Sequence, residues 1–153
     1  MHFSIKQCRF GRGLFAAKDI AKGEHILTLT GKVITQEEVD NKPEKQQANA
    51  LQIEYDFYMD LEEPGVLINH SCNPNTGIQK DKEVIAIRDI KAGEEMTWDY
   101  STSVDGGWTM PCGCAEKNCR KKVKDFKVLP KKVKESYLQQ NIVLSFIKEK
   151  YFL

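Results

Sequence analysis

The chain has 153 residues, 41% hydrophobic and 29% charged, with a formal net charge of +1. That length predicts one domain able to bury its own core, and the composition excludes a disordered chain, a coiled coil and a strong global field toward nucleic acid or anionic membrane. No apolar run reaches signal-peptide or membrane-span length, and five cysteines suit reduced thiols better than a disulfide scaffold, so an intracellular protein is expected, with no membrane or direct nucleic-acid contact.

Gly11-Arg12-Gly13-Leu14-Phe15 opens the ordered region. By itself this G-x-G is a weak signal, since it lacks the third glycine and the helix of a dinucleotide fingerprint. Next, Ala17-Lys18-Asp19-Ile20-Ala21-Lys22-Gly23-Glu24-His25-Ile26 is echoed at Ile87-Arg88-Asp89-Ile90-Lys91-Ala92-Gly93-Glu94-Glu95-Met96. Each copy reads as a short strand, a glycine turn and a second strand. Further strands are expected at 26–30, 33–35, 66–68 and 83–87. The polar stretch 40–49, with Pro43, reads as an exposed insertion with a short helix from Gln36. The basic runs Arg120-Lys121-Lys122-Val123-Lys124 and Lys131-Lys132 read as solvated faces. After Pro130, apolar positions Val133, Tyr137, Leu138, Val143, Leu144, Phe146, Ile147 and Tyr151 predict one or two amphipathic helices, with a break near Asn141, docked on the body. The chain is thus expected to be mainly β with short helices.

Cys112-Gly113-Cys114 followed by Cys119 gives C-x-C-x4-C, a spacing that converges three thiols on one metal ion. Structural zinc is tetrahedral and takes four ligands. Candidates for the fourth are Cys72, Cys8, His70, His2 and His25, with Cys72 favoured because it lies in the most unusual stretch, Asn69-His70-Ser71-Cys72-Asn73-Pro74-Asn75. Four thiolates would leave no open position, so the metal is expected to be structural. In the 69–75 stretch, Asn69 alone can be a turn former and His70 a satisfied core histidine. Glu94-Glu95-Met96-Thr97-Trp98-Asp99-Tyr100 alone can supply core aromatics.

Taken together, the order G-x-G, N-H-S-C-x-P-N, G-E-E-x-x-x-D-Y and C-x-C-x4-C resembles the SET-domain protein-lysine methyltransferases, over residues 10–120. The second and third motifs are highly specific. The resemblance implies a fold of small curved β-sheets with a knot-like crossing, divided as a SET domain (1–105), a post-SET zinc segment (106–127) and a C-terminal helical extension (128–153). It implies that Gly11, Arg12, Gly13, Asn69 and His70 bind S-adenosylmethionine, that Tyr100 is the essential tyrosine, and that Cys72, Cys112, Cys114 and Cys119 hold the zinc. Tyr55 resembles the aromatic lining the lysine channel, with Tyr58 as its rival. The chain departs from the pattern in three respects. Trp98 stands where the family usually has Phe or Tyr, which implies a narrower site and lower methylation states. Lys121 replaces a common glycine, leaving Phe126 and Val123 as candidates to cover the adenine. No cysteine-rich segment precedes Gly11, as in compact bacterial or viral members.

The residue types suit the implied reaction. A lysine nucleophile must be neutral, although its free pKa is about 10.4; an apolar aromatic channel disfavours the ammonium and lowers that value. Alignment of the two reactants can supply roughly 7–11 kcal/mol. The expected substrate is a protein or peptide lysine, histone or not, and a homodimer is left open. The competing reading is an inactive, zinc-stabilised protein-binding module of the same fold.

Overall fold

A computed structural model of the chain describes residues 2–152. In chain order the strands and helices are β1 (Phe3–Cys8), β2 (Gly11–Ala16), β3 (His25–Thr28), β4 (Gly31–Thr35), α1 (Gln36–Asp40), α2 (Glu44–Gln47), β5 (Ala50–Glu54), β6 (Phe57–Leu61), β7 (Asn69–His70), β8 (Thr76–Gln79), β9 (Glu83–Ala86), β10 (Thr97–Trp98), β11 (Met110–Pro111), β12 (Lys122–Val123), α3 (Lys131–Gln139) and α4 (Ser145–Phe152). The strands form small sheets: the hairpin β1–β2, the three-stranded β3-β9-β8 and β4-β6-β5, and the two-stranded pairs β7–β10 and β11–β12. All are antiparallel except β7–β10, which is parallel. The expectation of a mainly β fold with short helices holds.

The duplicated stretch does not make two separate strand–turn–strand units. The copies face each other, joined by the single antiparallel bridge Ile20–Ile90. Ile20 and Ile90 exchange backbone hydrogen bonds of 2.8 Å in both directions. Asp19 accepts from the Ala92 N–H, and Asp89 from the Lys22 N–H, both at 2.9 Å. Gly23 donates to Ala86 and Gly93 to Ala16, both at 2.8 Å. The two turn glycines have φ of +91° and +90°, a region costly for other residues. The sequence repeat is therefore a local two-fold. Each aspartate caps the other copy's turn, and neither copy needs a regular strand before its glycine.

Residues 66–68, expected as a strand, depart from it: Gly65–Leu67 is a 3-10 turn, and extended pairing begins only at Asn69. The turn is pressed into the core, since a Cβ on Gly65 would lie 2.6 Å from Leu29 Cδ2. A short apolar run reports burial, and burial alone does not separate strand from turn. The insertion does begin with a helix at Gln36, held by a capping box in which Thr35 Oγ1 accepts from the Glu38 N–H and Glu38 Oε2 from the Thr35 N–H. The stretch 40–49 has no buried residue, whereas Val39 of the helix before it is buried.

The C-terminal helices break at Asn141, whose φ is +57°. Ile142, Val143 and Leu144 are buried between them and join the same apolar core as Leu14, Ile20, Ile78, Val84, Ile90 and Met96. Against β8 the packing leaves no room. A Cβ on Gly77 would stand 2.5 Å from Ile142 Cγ2. Gly77→Ala should therefore destabilise the fold by about 1–3 kcal/mol through overpacking, read as a lower urea midpoint at unchanged slope; an unchanged midpoint would mean that Ile142 yields freely.

Candidate active site and metal centre

The parallel pair β7–β10 sets Asn69 opposite Thr97 and His70 opposite Trp98. Asn75 fastens the pairing from the side: its Nδ2 donates to the Glu95 carbonyl at 2.8 Å and its Oδ1 accepts from the Thr97 N–H at 2.9 Å. The two most specific motifs thereby become one structure, and Tyr100 follows directly. Its N–H donates to His70 Nδ1 at 3.1 Å, and its hydroxyl donates to the Ile68 carbonyl at 2.9 Å. The acceptor role of Nδ1 leaves the proton of neutral His70 on Nε2. Burial lowers the His70 pKa to about 4, so the ring is neutral at physiological pH. Burial, and then the Glu95 carboxylate, push the Tyr100 phenol well above its ordinary value, which keeps its proton in place.

Tyr100 and Trp98 stack obliquely, with ring centroids 4.6 Å apart. Both line a cavity of about 380 Å³ whose other walls include Val39, Leu51, Tyr58 and Trp108. The helix α1 supplies part of the wall, so the polar insertion is a structural component of the cavity. Tyr58 Oη donates to Gln36 Oε1 at 2.5 Å within it. Tyr55, the first choice from sequence, does not line this cavity. Its hydroxyl donates to Asp105 Oδ2 at 2.6 Å and its ring meets Phe146 edge-on at 5.2 Å. Burial, and then Asp105, push its phenol up to about 12.

Gly11, Arg12 and Gly13 form the start of β2, where Gly11 turns the hairpin with φ of +106°. Asn69 Nδ2 bridges this strand to the rest of the site, donating to the Arg12 carbonyl at 3.3 Å and to Glu95 Oε1 at 3.0 Å. Gly13 allows the approach: a Cβ there would lie 2.6 Å from Glu95 Oε1 and 3.2 Å from Asn69 Nδ2. The Arg12 side chain ion-pairs with Glu63. Phe126 is only 1% exposed and belongs to the apolar core. Phe10, beside the G-x-G turn, is 51% accessible, and a Cβ on Gly113 of the cysteine loop would lie 4.0 Å from its ring.

The sulfurs of Cys72, Cys112, Cys114 and Cys119 all lie within 4.8 Å of one another. Cys112 Sγ is 3.7 Å from both Cys72 Sγ and Cys119 Sγ. A tetrahedral zinc with bonds of about 2.3 Å has sulfur–sulfur edges of about 3.8 Å, so the donor set fits the ion. The Lys121 backbone N–H lowers the Cys119 pKa to about 7, while burial raises those of Cys72 and Cys112. Cys8, a rival for the fourth position, lies at the other side of the site, 3.4 Å from Asn69 Nδ2.

One group was not anticipated from the sequence. Arg120, read there as part of a solvated basic run, turns inward. Its Nη2 donates to both Asp99 oxygens at 2.8 Å, and its N–H donates to Cys72 Sγ at 3.4 Å. Asp99 has no exposed side-chain surface. A lone Asp before Tyr and a lone Arg after Cys give no local sign of pairing across the fold.

A family model described as the SET domain matches residues 11–101. The chain is 37% identical over 128 residues to Histone-lysine N-methyltransferase trr of Drosophila melanogaster, covering 72% of this chain and 5% of that protein. It is 35% identical over 127 residues to a Histone-lysine N-methyltransferase, H3 lysine-36 specific, of Candida albicans, covering 72% of this chain and 15% of that one. The chain thus spans a small part of these relatives. The methyltransferase domain of human Histone-lysine N-methyltransferase SETMAR shares the fold, with a TM-score of 0.64 at 22% identity, over 81% of this chain and 58% of that chain.

Proposed function

Because the chain belongs to the SET-domain family, we propose that it is a protein-lysine N-methyltransferase that takes its methyl group from S-adenosylmethionine, with one structural zinc on Cys72, Cys112, Cys114 and Cys119. The observation that carries this reading is the meeting of Asn69, His70 and Tyr100 through β7–β10 at the edge of an aromatic cavity.

Gly11, Arg12, Gly13, Asn69 and His70 would hold the cosubstrate, through the main chain of the hairpin and the polar side chains beside it. S-adenosylmethionine supplies an electrophilic methyl on a sulfonium, and the lysine nitrogen forms the new N–C bond as the sulfur–carbon bond breaks. The chain's own work is to receive the lysine, dehydrate it and aim it. A channel walled by Trp98, Trp108 and Tyr58 favours the neutral amine, and water takes the proton released from the ammonium. The Tyr100 hydroxyl, fixed by the Ile68 carbonyl, orients the reacting groups without ionising. Phe126 is also proposed to contact the adenine, from within the apolar core.

Incubating the chain with labelled S-adenosylmethionine and a histone mixture, then mapping labelled lysines, tests the activity. Cosubstrate binding without transfer to any protein would favour the inactive binding module. Trp98 gives a sharper expectation: its indole narrows the space beside Tyr100, so mono- and dimethyl products should dominate, and Trp98→Phe should shift them upward. Intact-mass analysis of a turned-over peptide checks this; abundant trimethyl product from the unaltered chain would refute it.

A further inference from the structure

The segment 99–105 carries Tyr100 into the cavity wall, and it is gripped from behind at every third residue. Tyr137 Oη of α3 donates to Asp99 Oδ2 at 2.8 Å. The Leu144 N–H, between α3 and α4, donates to the Thr102 carbonyl at 3.1 Å. From α4, Tyr151 Oη reaches Asp105 Oδ1 at 3.1 Å and Lys150 Nζ reaches Asp105 Oδ2 at 3.3 Å. Residues 100–103 form a 3-10 turn, in which positions three apart eclipse. Asp99 and Asp105 flank this turn, so the C-terminal helices hold it before, within and after its 3-10 residues. Tyr100 and Ser103, also three apart, both line the cavity.

We infer that the C-terminal helices are a clamp that positions Tyr100, with Tyr137 as its principal positioning residue, acting through Asp99. As a statement about catalysis this rests on the methyltransferase reading above. Asp99 is the pivot of the clamp. Its carboxylate is buried and accepts from Tyr137, from Arg120 beside the cysteine cluster and from the Ser101 N–H at 3.0 Å. Its Oδ1 also lies 3.6 Å from His70 Nδ1, the atom to which Tyr100 donates. A shift of Asp99 therefore moves the start of the turn, the Tyr100 amide and the histidine it rests on. Removing the Tyr137 hydroxyl leaves the ring packing and the Arg120 contact in place, but it takes one hydrogen bond from a buried charge, a costly loss.

The test is amide hydrogen exchange of the zinc-loaded full chain as Tyr137→Phe, with single-turnover kinetics in parallel. Exchange at Tyr100, Ser101 and Thr102 should quicken by about tenfold, while the β8–β9 amides keep their protection. The methyl-transfer rate should fall by a similar factor with KM for the peptide nearly unchanged. Tyr151→Phe should loosen 104–105 in the same local way. A uniform loss of protection across β8–β9 would make Tyr137 merely structural and overturn the inference. Unchanged exchange at 100–102, or local loosening without a slower transfer step, would overturn it too. If the unaltered chain transfers no methyl group to any protein, the methyltransferase reading fails, and the exchange pattern still decides whether the clamp exists.

Discussion

Tyr100→Phe should lower kcat by roughly 10²–10³-fold, the usual consequence of deleting a preorganised donor at a reacting centre, with little change in fold. The hydroxyl is not held by solvent or by a flexible neighbour. It donates to the Ile68 carbonyl at 2.9 Å, one residue before the Asn69-His70 strand that pairs with Thr97-Trp98. Its loss leaves that carbonyl short of one partner, worth about 1–3 kcal/mol. For a chain of this size that is a fall in Tm of several degrees, about 2–4 °C per kcal/mol. The protein stays folded at assay temperature, so the loss of rate belongs to the chemistry. Calorimetry and initial rates on the same preparation separate the two effects. A variant with full activity would remove Tyr100 from the catalytic assignment.

The second large effect concerns the metal. Cys119→Ser, or stripping with a chelator, should release about one zinc per chain, lower Tm by about 10 °C or more and weaken S-adenosylmethionine binding by at least about tenfold. The coupling follows from where the ligands stand. Cys72 lies two residues beyond His70, and the Arg120 N–H bonds its sulfur while the guanidinium holds Asp99. Asn118 Nδ2 donates to the Cys72 carbonyl at 3.0 Å. Loss of the proposed zinc would therefore free the loop that anchors both motifs. Elemental analysis with titration calorimetry checks it. Zinc removal that leaves cosubstrate affinity intact would show the metal site and the binding site to be independent.

Much of this site was legible in the sequence because its chemistry lies in short, dense motifs. Spacing alone placed Cys112, Cys114 and Cys119 together, and Cys72 joins them as expected. Asn69, His70 and Tyr100 also meet as expected. That Tyr58 and not Tyr55 lines the cavity has a specific cause. The β5–β6 pairing is irregular between Gln52 and Glu54, and Asp56 turns with φ of +66°. A bulge changes which side chains face a given side, and nothing in Ile53-Glu54-Tyr55-Asp56 announces it. The Asp99–Arg120–Tyr137 group was invisible for another reason. Its members are single residues of common types whose partnership exists only once the chain has closed. The duplicated stretch was seen, but periodic patterns report local geometry, and its partner was its own second copy.

That reciprocal pair sets the order in which this protein can become itself. The caps on the two turns join residues 67 and 73 positions apart. Closing such loops costs entropy before any contact repays it, which places the molecule among slowly folding, non-local topologies. The β1–β2 hairpin can pair locally, but the turn at Asp19–Gly23 has its caps only once the second copy is in place.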